Sequence, residues 1–568
     1  MLPRPIPDRT SRSTGARKRR GRALAAAVVA SGGVLLLAAC SGGGTGGTGG
    51  SAQSSATLTV APNATGPFTR VFNPYLPTAT SASGFADNLI YEPLMMPDYY
   101  NDTDQPWLAT AMKWSNGGRT LTFTLRSGVK WSDGQPFSAS DVSFTFELFK
   151  KYPALNSGGY PITSASAPSP TTAVINFSEP SYTYMDQLAQ TKPVPAHVWK
   201  TVPNPATYAD SDPVGTGPYL LSNFTPQAMT FAKNPKFWQA SGIHVPTVVF
   251  DSFDSASSIE TAMESGQITW EDHVFTGYNQ LFSRPGISGQ NASTGVADII
   301  PNTSVYPLNL QPVRQAISDA IDRTALSTTE DSGQTPATSP TGLMGGLSKY
   351  ITPAYQSLHY SGADPAAAQA LLRKAGFKMG SNGIFVTPKG TPLQLTMLVA
   401  SGQGNLITLS QAMQQELKKA GIGLQIKTEI ISAVTADVAM GRYELNINGI
   451  TGQFSPFGLY GPFNPQYYVP NGKRAANDQS RFNDPAAKAL FTTLAQSAPG
   501  SAAASQAIAG LEKVMVDQVP VIPINSSASQ WAFNTTQFTG WPTKANPYAF
   551  AEVLEPNAEL VMLHLRAK

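Results

Sequence analysis

The stretch from residue 393 to 430 constrains the fold most. Leu393, Leu395, Met397 and Val399 alternate as they do in a strand. Leu409, Met413, Leu417 and Ala420 then recur at helical spacing, and Gly421 stops the run. Ile422, Leu424 and Ile426 alternate again. Strand, helix and strand in this order form a βαβ unit, which requires a parallel pair joined by a right-handed crossover. Similar signals occur elsewhere. Thr120–Leu125 reads as a strand, and Ser138 through Asp141 opens a helix with the spacing of a capping box. Val313, Ala316, Ile317, Ala320 and Ile321 define one helix ending near Arg323. Asp364-Pro365 supplies a helix start, and the apolar run Val519–Ile524 reads as a buried strand with its prolines away from the ladder centre. The class is α/β, with more than one lobe.

The formal charge of +3 conceals two unlike parts. Residues 1–39 hold eight basic side chains and one acid, a surplus of +7, so the remainder carries −4. That leaves no basic footprint for nucleic acid. A single cysteine among 568 residues excludes a disulfide scaffold, and past residue 40 no apolar run is long enough for a membrane helix. Residues 1–22 are basic, 23–39 are small and apolar, and Cys40 follows Leu37-Ala38-Ala39, which is similar to a lipoprotein signal peptide with its lipobox. Cys40 is the expected lipidation point. Residues 40–56 then form a Gly/Ser tether reaching roughly 20–25 Å.

Chemical motifs are scarce. The chain has no P-loop, no nucleophile elbow and no His-Glu-x-x-His. Gly215-Thr216-Gly217-Pro218 reads as a turn, and Glu271-Asp272-His273 as a solvated turn after Trp270. No catalytic residue, no metal site and no cofactor is expected. A surface enzyme acting on glycosides would need two carboxylates about 5–10 Å apart beside the cleft, and the cleft segments that can be placed are poor in acids.

Several longer motifs resemble one family. Gly128-Val129-Lys130-Trp131-Ser132-Asp133-Gly134-Gln135-Pro136-Phe137, followed by Ser138 to Val142, resembles the signature of the family 5 extracellular solute-binding proteins. These are the peptide-, nickel- and oligosaccharide-binding components of ABC importers. In the same order come Tyr91-Glu92-Pro93-Leu94, Val214 to Tyr219, Asn234-Pro235-Lys236-Phe237-Trp238, Val313 to Arg323, and Val519 to Pro523. The tight turn Trp131–Gly134 joins a strand to a capped helix, so this signature reads as scaffold rather than ligand contact.

The resemblance implies a two-lobed clamp of the periplasmic-binding-protein kind, type II, in the enlarged family 5 form with an extra subdomain in lobe one. Lobe one would comprise 57–95, 208–305 and 530–568. The extra subdomain would span 96–207 and lobe two 306–529, with hinges near Tyr306 and Asn525. A small-molecule ligand, an oligopeptide or oligosaccharide, would lie in the cleft and be delivered to ABC permease subunits after hinge closure. The protein would be a monomer held at the outer face of the membrane, in the periplasmic space or at the cell surface.

In peptide-binding relatives an aspartate holds the ligand's ammonium, but the matching segment 447–456 contains no acid. Ser339 to Leu343 and Gly266 to Trp270 resemble the oligosaccharide-binding branch more closely. Flat aromatic faces and neutral polar groups suit sugars. The candidate ligand residues are therefore Asn73, Tyr75, Trp270, Tyr306, Asn309, Asn448, Thr451, Gln453, Phe454, Asn525 and Trp531.

Overall fold

The computed structural model describes residues 56–568, apart from 63–65, 77–81, 102, 273–277, 332–336, 361, 402, 452–454 and 476. Cys40 and the segments on either side of it lie outside the described residues. No helix among the described residues is long and apolar enough to cross a membrane.

The βαβ unit forms as its periodicity requires. Strands Gln394–Ala400 and Gly423–Glu429 pair in parallel across helix Gly404–Lys419, whose Leu409, Met413 and Leu417 are fully buried. Gly421 turns the chain at φ +79°, a conformation that costs other residues a Cβ clash. These strands end a ten-stranded sheet. Its order is Gly423–Glu429, Gln394–Ala400, Leu445–Thr451, Ile287–Pro301, Ile522–Asn534, Trp270–Asp272, Thr57–Ala61, Thr247–Asp251, Ala228–Lys233 and Tyr219–Phe224. The two longest strands, Ile287–Pro301 and Ile522–Asn534, are antiparallel neighbours at its centre. At one end they pair with the strands around Trp270, at the other with Leu445–Thr451. The sheet is thus two lobes joined by a shared pair of strands, the fold class read from the sequence.

The apolar cores stop at that shared pair. Trp531 and Phe533 belong to the lobe-one core, which continues into a four-stranded sheet at residues 109–177. Ile299, Ile522 and Ile524 belong to an aliphatic lobe-two core, and Val296 and Ile300 to a second core on the opposite face that also holds Tyr460, Phe463, Phe482 and Phe491. Between them the strand carries the buried polar side chains Asn525, Ser526 and Gln530. The ladder is irregular here as well, with register shifts between Ser293 and Gly295 and between Ala297 and Asp298. Pro523, which has no N–H to give, stands opposite Asp298 at the second irregularity.

The signature motifs interlock as scaffold. Ser138 caps helix Ala139–Lys151, and its backbone N–H donates to Asp141 at 2.9 Å. Trp131 is fully buried, and the Ser132 N–H donates to Gly215 O at 2.9 Å. A Cβ on Gly215 would lie 1.9 Å from Ile90 O, so only glycine permits this approach. The Trp238 indole N–H donates to Glu92 at 2.7 Å, and the Arg126 guanidinium lies 4.0 Å above the Trp238 ring.

Two local readings are corrected. The helix expected to run unbroken to Arg323 ends at Asp319, and a second begins at Arg323. The Asp322 carboxylate accepts from the N–H groups of Thr324 and Ala325, so it starts a new helix and breaks the first. Glu271 and Asp272 do not form a solvated turn. They are buried strand residues, paired on one side with Ala532 and Trp531, while His273 lies outside the described residues.

Candidate functional site: the inter-lobe cleft

A clamp must bend where its lobes join, and the shared strands bend most easily at their irregularities. Gly295, which pairs with both Ser527 and Thr451, marks that place. The two lobes also touch at a second place, where the Tyr184 and Tyr467 side chains are neighbours. Beside them a cavity of about 110 Å³ lies between Tyr182–Asp186 and the lobe-two residues Phe457, Leu494 and Ile508.

The lobe-one wall beside the crossing is acidic. Ser529, on the shared strand, hydrogen-bonds the half-buried Glu552 carboxylate. Glu555 accepts from the Tyr99 hydroxyl. Burial, and then the neighbouring Glu552, pushes the Glu555 carboxyl up to about 7. Asp87 pairs with Lys192 at 2.9 Å, and Lys192 also donates to Asn88 at 2.6 Å. Burial raises the Asp87 carboxyl while Lys192 opposes the rise. Asp272 accepts the Val553 N–H at 2.7 Å and so ties the loop carrying Glu552 and Glu555 to the sheet. Composition and spacing gave no warning of this wall. Glu552 and Glu555 lie in no motif and meet the strand only through tertiary packing.

The expected ligand residues divide into three groups. The backbones of Asn448 and Thr451 pair with Asp298 and Gly295, and Asn525 pairs with Ala297, so these three reach the crossing. The side chains of Asn448 and Thr451, and the whole of Gln453 and Phe454, lie outside the described residues. Tyr306 and Asn309 sit beyond the outer end of the long strand. Tyr306 is half-buried with the Lys389 ammonium 3.9 Å over its ring, and Asn309 is exposed.

The remaining four are engaged in structure. Trp270 is fully buried, its N–H donates to Ala551 O at 2.9 Å, and Phe533 and Trp541 pack on it. Trp531 is fully buried against Phe550, with ring centroids 4.7 Å apart. Both are corrections to the reading of tryptophans as sugar-stacking faces: a central strand of a two-faced sheet buries both of its sides. Asn73 spends its side chain on Pro205 O, Tyr208 O and the Tyr75 N–H. Tyr75 packs edge-on against Phe149 and donates to Lys192 O, so it lies behind the acidic wall. Among the described residues no group of three His, Cys, Asp or Glu is placed to hold a metal ion.

The pattern for bacterial extracellular solute-binding proteins, family 5 middle, matches residues 104–470. The chain belongs to family 5 of the bacterial extracellular solute-binding proteins. Among curated relatives of this family-5 chain, the nickel-binding periplasmic protein of Escherichia coli K12 is 25% identical over 386 residues, covering 65% of this chain and 71% of that protein. Protein XP55 of Streptomyces lividans is 28% identical over 343 residues, covering 57% and 60%. A periplasmic oligopeptide-binding protein of Thermotoga maritima, solved with bound mannohexaose, superposes with a TM-score of 0.77 at 25% identity over 91% of this chain and 99% of its own. NikA from Brucella suis, solved with Fe(III)-EDTA, gives a TM-score of 0.74 at 21% identity, covering 90% and 100%. The family consists of solute-binding proteins rather than enzymes, and its members work outside the cytoplasm.

Proposed function

We propose that this family-5 protein is a lipid-anchored receptor of an ABC importer that closes on an amine-bearing oligopeptide and delivers it to the permease. One observation supports this reading above the others. Lobe one presents Glu552 and Glu555 next to the crossing strands, where a ligand's ammonium would find the carboxylates that segment 447–456 lacks. An ammonium removed from water needs such a partner. The basic n-region, the apolar h-region and the Cys40 lipobox support anchoring by a lipidated cysteine, with residues 41–56 as tether. Lobe one would be 57–95, 208–295 and 530–568, with 96–207 as its extra subdomain, and lobe two 296–529, since Val296, Ile299 and Ile300 pack with lobe two and not lobe one as the boundary at 305 implied. The strand irregularities support a hinge at 293–298, in place of one near Tyr306, and at 523–528, which includes Asn525. The mannohexaose bound to the Thermotoga neighbour favours a second reading, an oligosaccharide receptor lined by Asn448, Thr451, Gln453 and Asn525.

A thermal-shift screen of the detergent-solubilised full chain separates these readings. A ligand at 100 times its Kd adds about 2.7 kcal/mol, a shift of a few degrees for a body this large. Peptides should give that shift, and Glu552→Gln should remove it while leaving the unliganded Tm within about a degree. A shift given only by β-linked oligosaccharides, and unchanged in Glu552→Gln, transfers the assignment to sugars. Cys40→Ser should move the protein from the membrane fraction to the medium or periplasm.

A further inference from the structure

Lobe two holds a second cavity, of about 370 Å³, whose lining among the described residues lies between Gln315 and Ala367 and between Met515 and Pro523. Its volume lies within the range of pockets that hold small molecules. It shares no lining residue with the acidic wall of lobe one. Met515, Val519 and Val521 give it an apolar floor, and Asp319 and Asp364 stand on its wall.

Both carboxylates are held in place by their own elements. Asp319 ends helix Gln311–Asp319 and accepts from the Gln315 amide at 2.7 Å. Asp364 caps helix Pro365–Lys374, accepting the Ala367 N–H at 2.8 Å, and its own N–H donates to Asp319 O at 2.6 Å. Each uses one carboxylate oxygen in these bonds, and both residues line the cavity. Of the basic side chains nearby, His359 lines the cavity and Arg323 is walled off from it. Arg323 is buried, gives its N–H groups to Pro523 O, Ser318 O and Ser318 Oγ, and is covered by the Tyr360 ring at 3.3 Å.

The floor carries a conformational cost. Val519 adopts φ +48° and ψ 53° at the end of helix Ala502–Gln518, a left-handed conformation that a β-branched residue avoids and that glycine normally takes. The buried Arg314 clamps this turn, donating to Val519 O at 2.9 Å and to Leu308 O at 2.7 Å. The result is an isopropyl group on the cavity floor where a glycine would leave a gap.

We propose that this cavity is a second ligand site, for a small organic ammonium compound. Its apolar body lies on Val519 and Met515, and its charged nitrogen sits between Asp319 and Asp364. Calorimetric titration of the detergent-solubilised full chain with 2-phenylethylammonium, against 2-phenylethanol as the uncharged counterpart, tests it. The ammonium should saturate one site, and the alcohol should bind at least about tenfold more weakly, the loss of one charge-assisted contact. Asp319→Asn and Asp364→Asn should each weaken the ammonium at least about tenfold. Asparagine still accepts from Gln315 at the first position and still caps the helix at the second, so the fold persists. Ala367→Trp, which fills the cavity from helix Pro365–Lys374, should abolish binding without touching either carboxylate. Three results overturn the proposal: no saturable heat up to on the order of 10 mM, equal affinity for the alcohol, or binding that survives both asparagine variants together.

Discussion

Lobe one buries tryptophans and carboxylates together, whereas the lobe-two core around the βαβ unit buries mainly aliphatic side chains at strand and helix spacing. In lobe one, Trp238 hydrogen-bonds Glu92, and Glu92 lies against Glu559. Burial drives Glu92 up to about 7 and Glu559 well above its usual range, and the Glu92 charge pushes Glu559 up further while the hydrogen bond from Glu559 holds Glu92 down, so the pair holds a proton at neutral pH. In lobe two, the core around Leu395, Met397, Leu409 and Leu417 contains two aromatic residues, Phe377 and Phe385. The difference shows two ways of reaching the same strand layer. An aliphatic core is built from repeats local in sequence. An aromatic and polar core is built from contacts between segments far apart in sequence, as Trp238 meets Glu92 across 146 residues and Trp270 meets Ala551 across 281.

The comparison predicts unequal responses to truncation. Trp270→Ala should be the largest, about 3–5 kcal/mol, because it opens a cavity and leaves Ala551 O without its donor. Chemical denaturation measures it, and a loss below about 1 kcal/mol would remove Trp270 from the core. Leu409→Ala in lobe two should cost about 2–5 kcal/mol through the cavity alone.

A pH experiment sharpens the contrast within lobe two, where Asp298 is a buried acid beside the strand irregularity. Burial raises its carboxyl to about 7, against about 4 when unfolded. The folded state then holds a proton that the unfolded state releases, so stability falls as pH rises from about 4 to 7. Asp298→Asn should flatten that slope by roughly 2–4 kcal/mol, read as the difference between denaturation midpoints at the two ends of the window. An unchanged slope would place the proton elsewhere. Gly215→Ala should cost about 1–3 kcal/mol or more, since its Cβ has no room beside Ile90 O. The smallest effect is Ser138→Ala, about 1 kcal/mol, which removes one helix cap and leaves the signature turn before it intact.

What was readable in the sequence follows from the same distinction. The βαβ unit, the Ser138 and Asp364 caps and the signature turns appear where expected, because each depends on residues within a few positions of one another. The single helix to Arg323 failed for a local reason that could have been seen: Asp322 starts helices as readily as it sits in them. Trp270 and Trp531 were misread for a reason that could not. Whether a tryptophan faces a cleft or a core depends on what covers the strand: for Trp270 that is Ala551, 281 residues away, and Trp541, and for Trp531 it is Phe550 from the loop after the strand.

The sequence by itself determined the α/β class, the family and the scaffold turns, because periodicity, capping and glycine geometry act over short distances. Tertiary structure alone decided where the two long strands change lobes, which polar residues fill that crossing, and which acids stand beside it. Those outcomes depend on register and burial. A one-residue shift in register, or one covering loop, reverses which side chains meet the ligand.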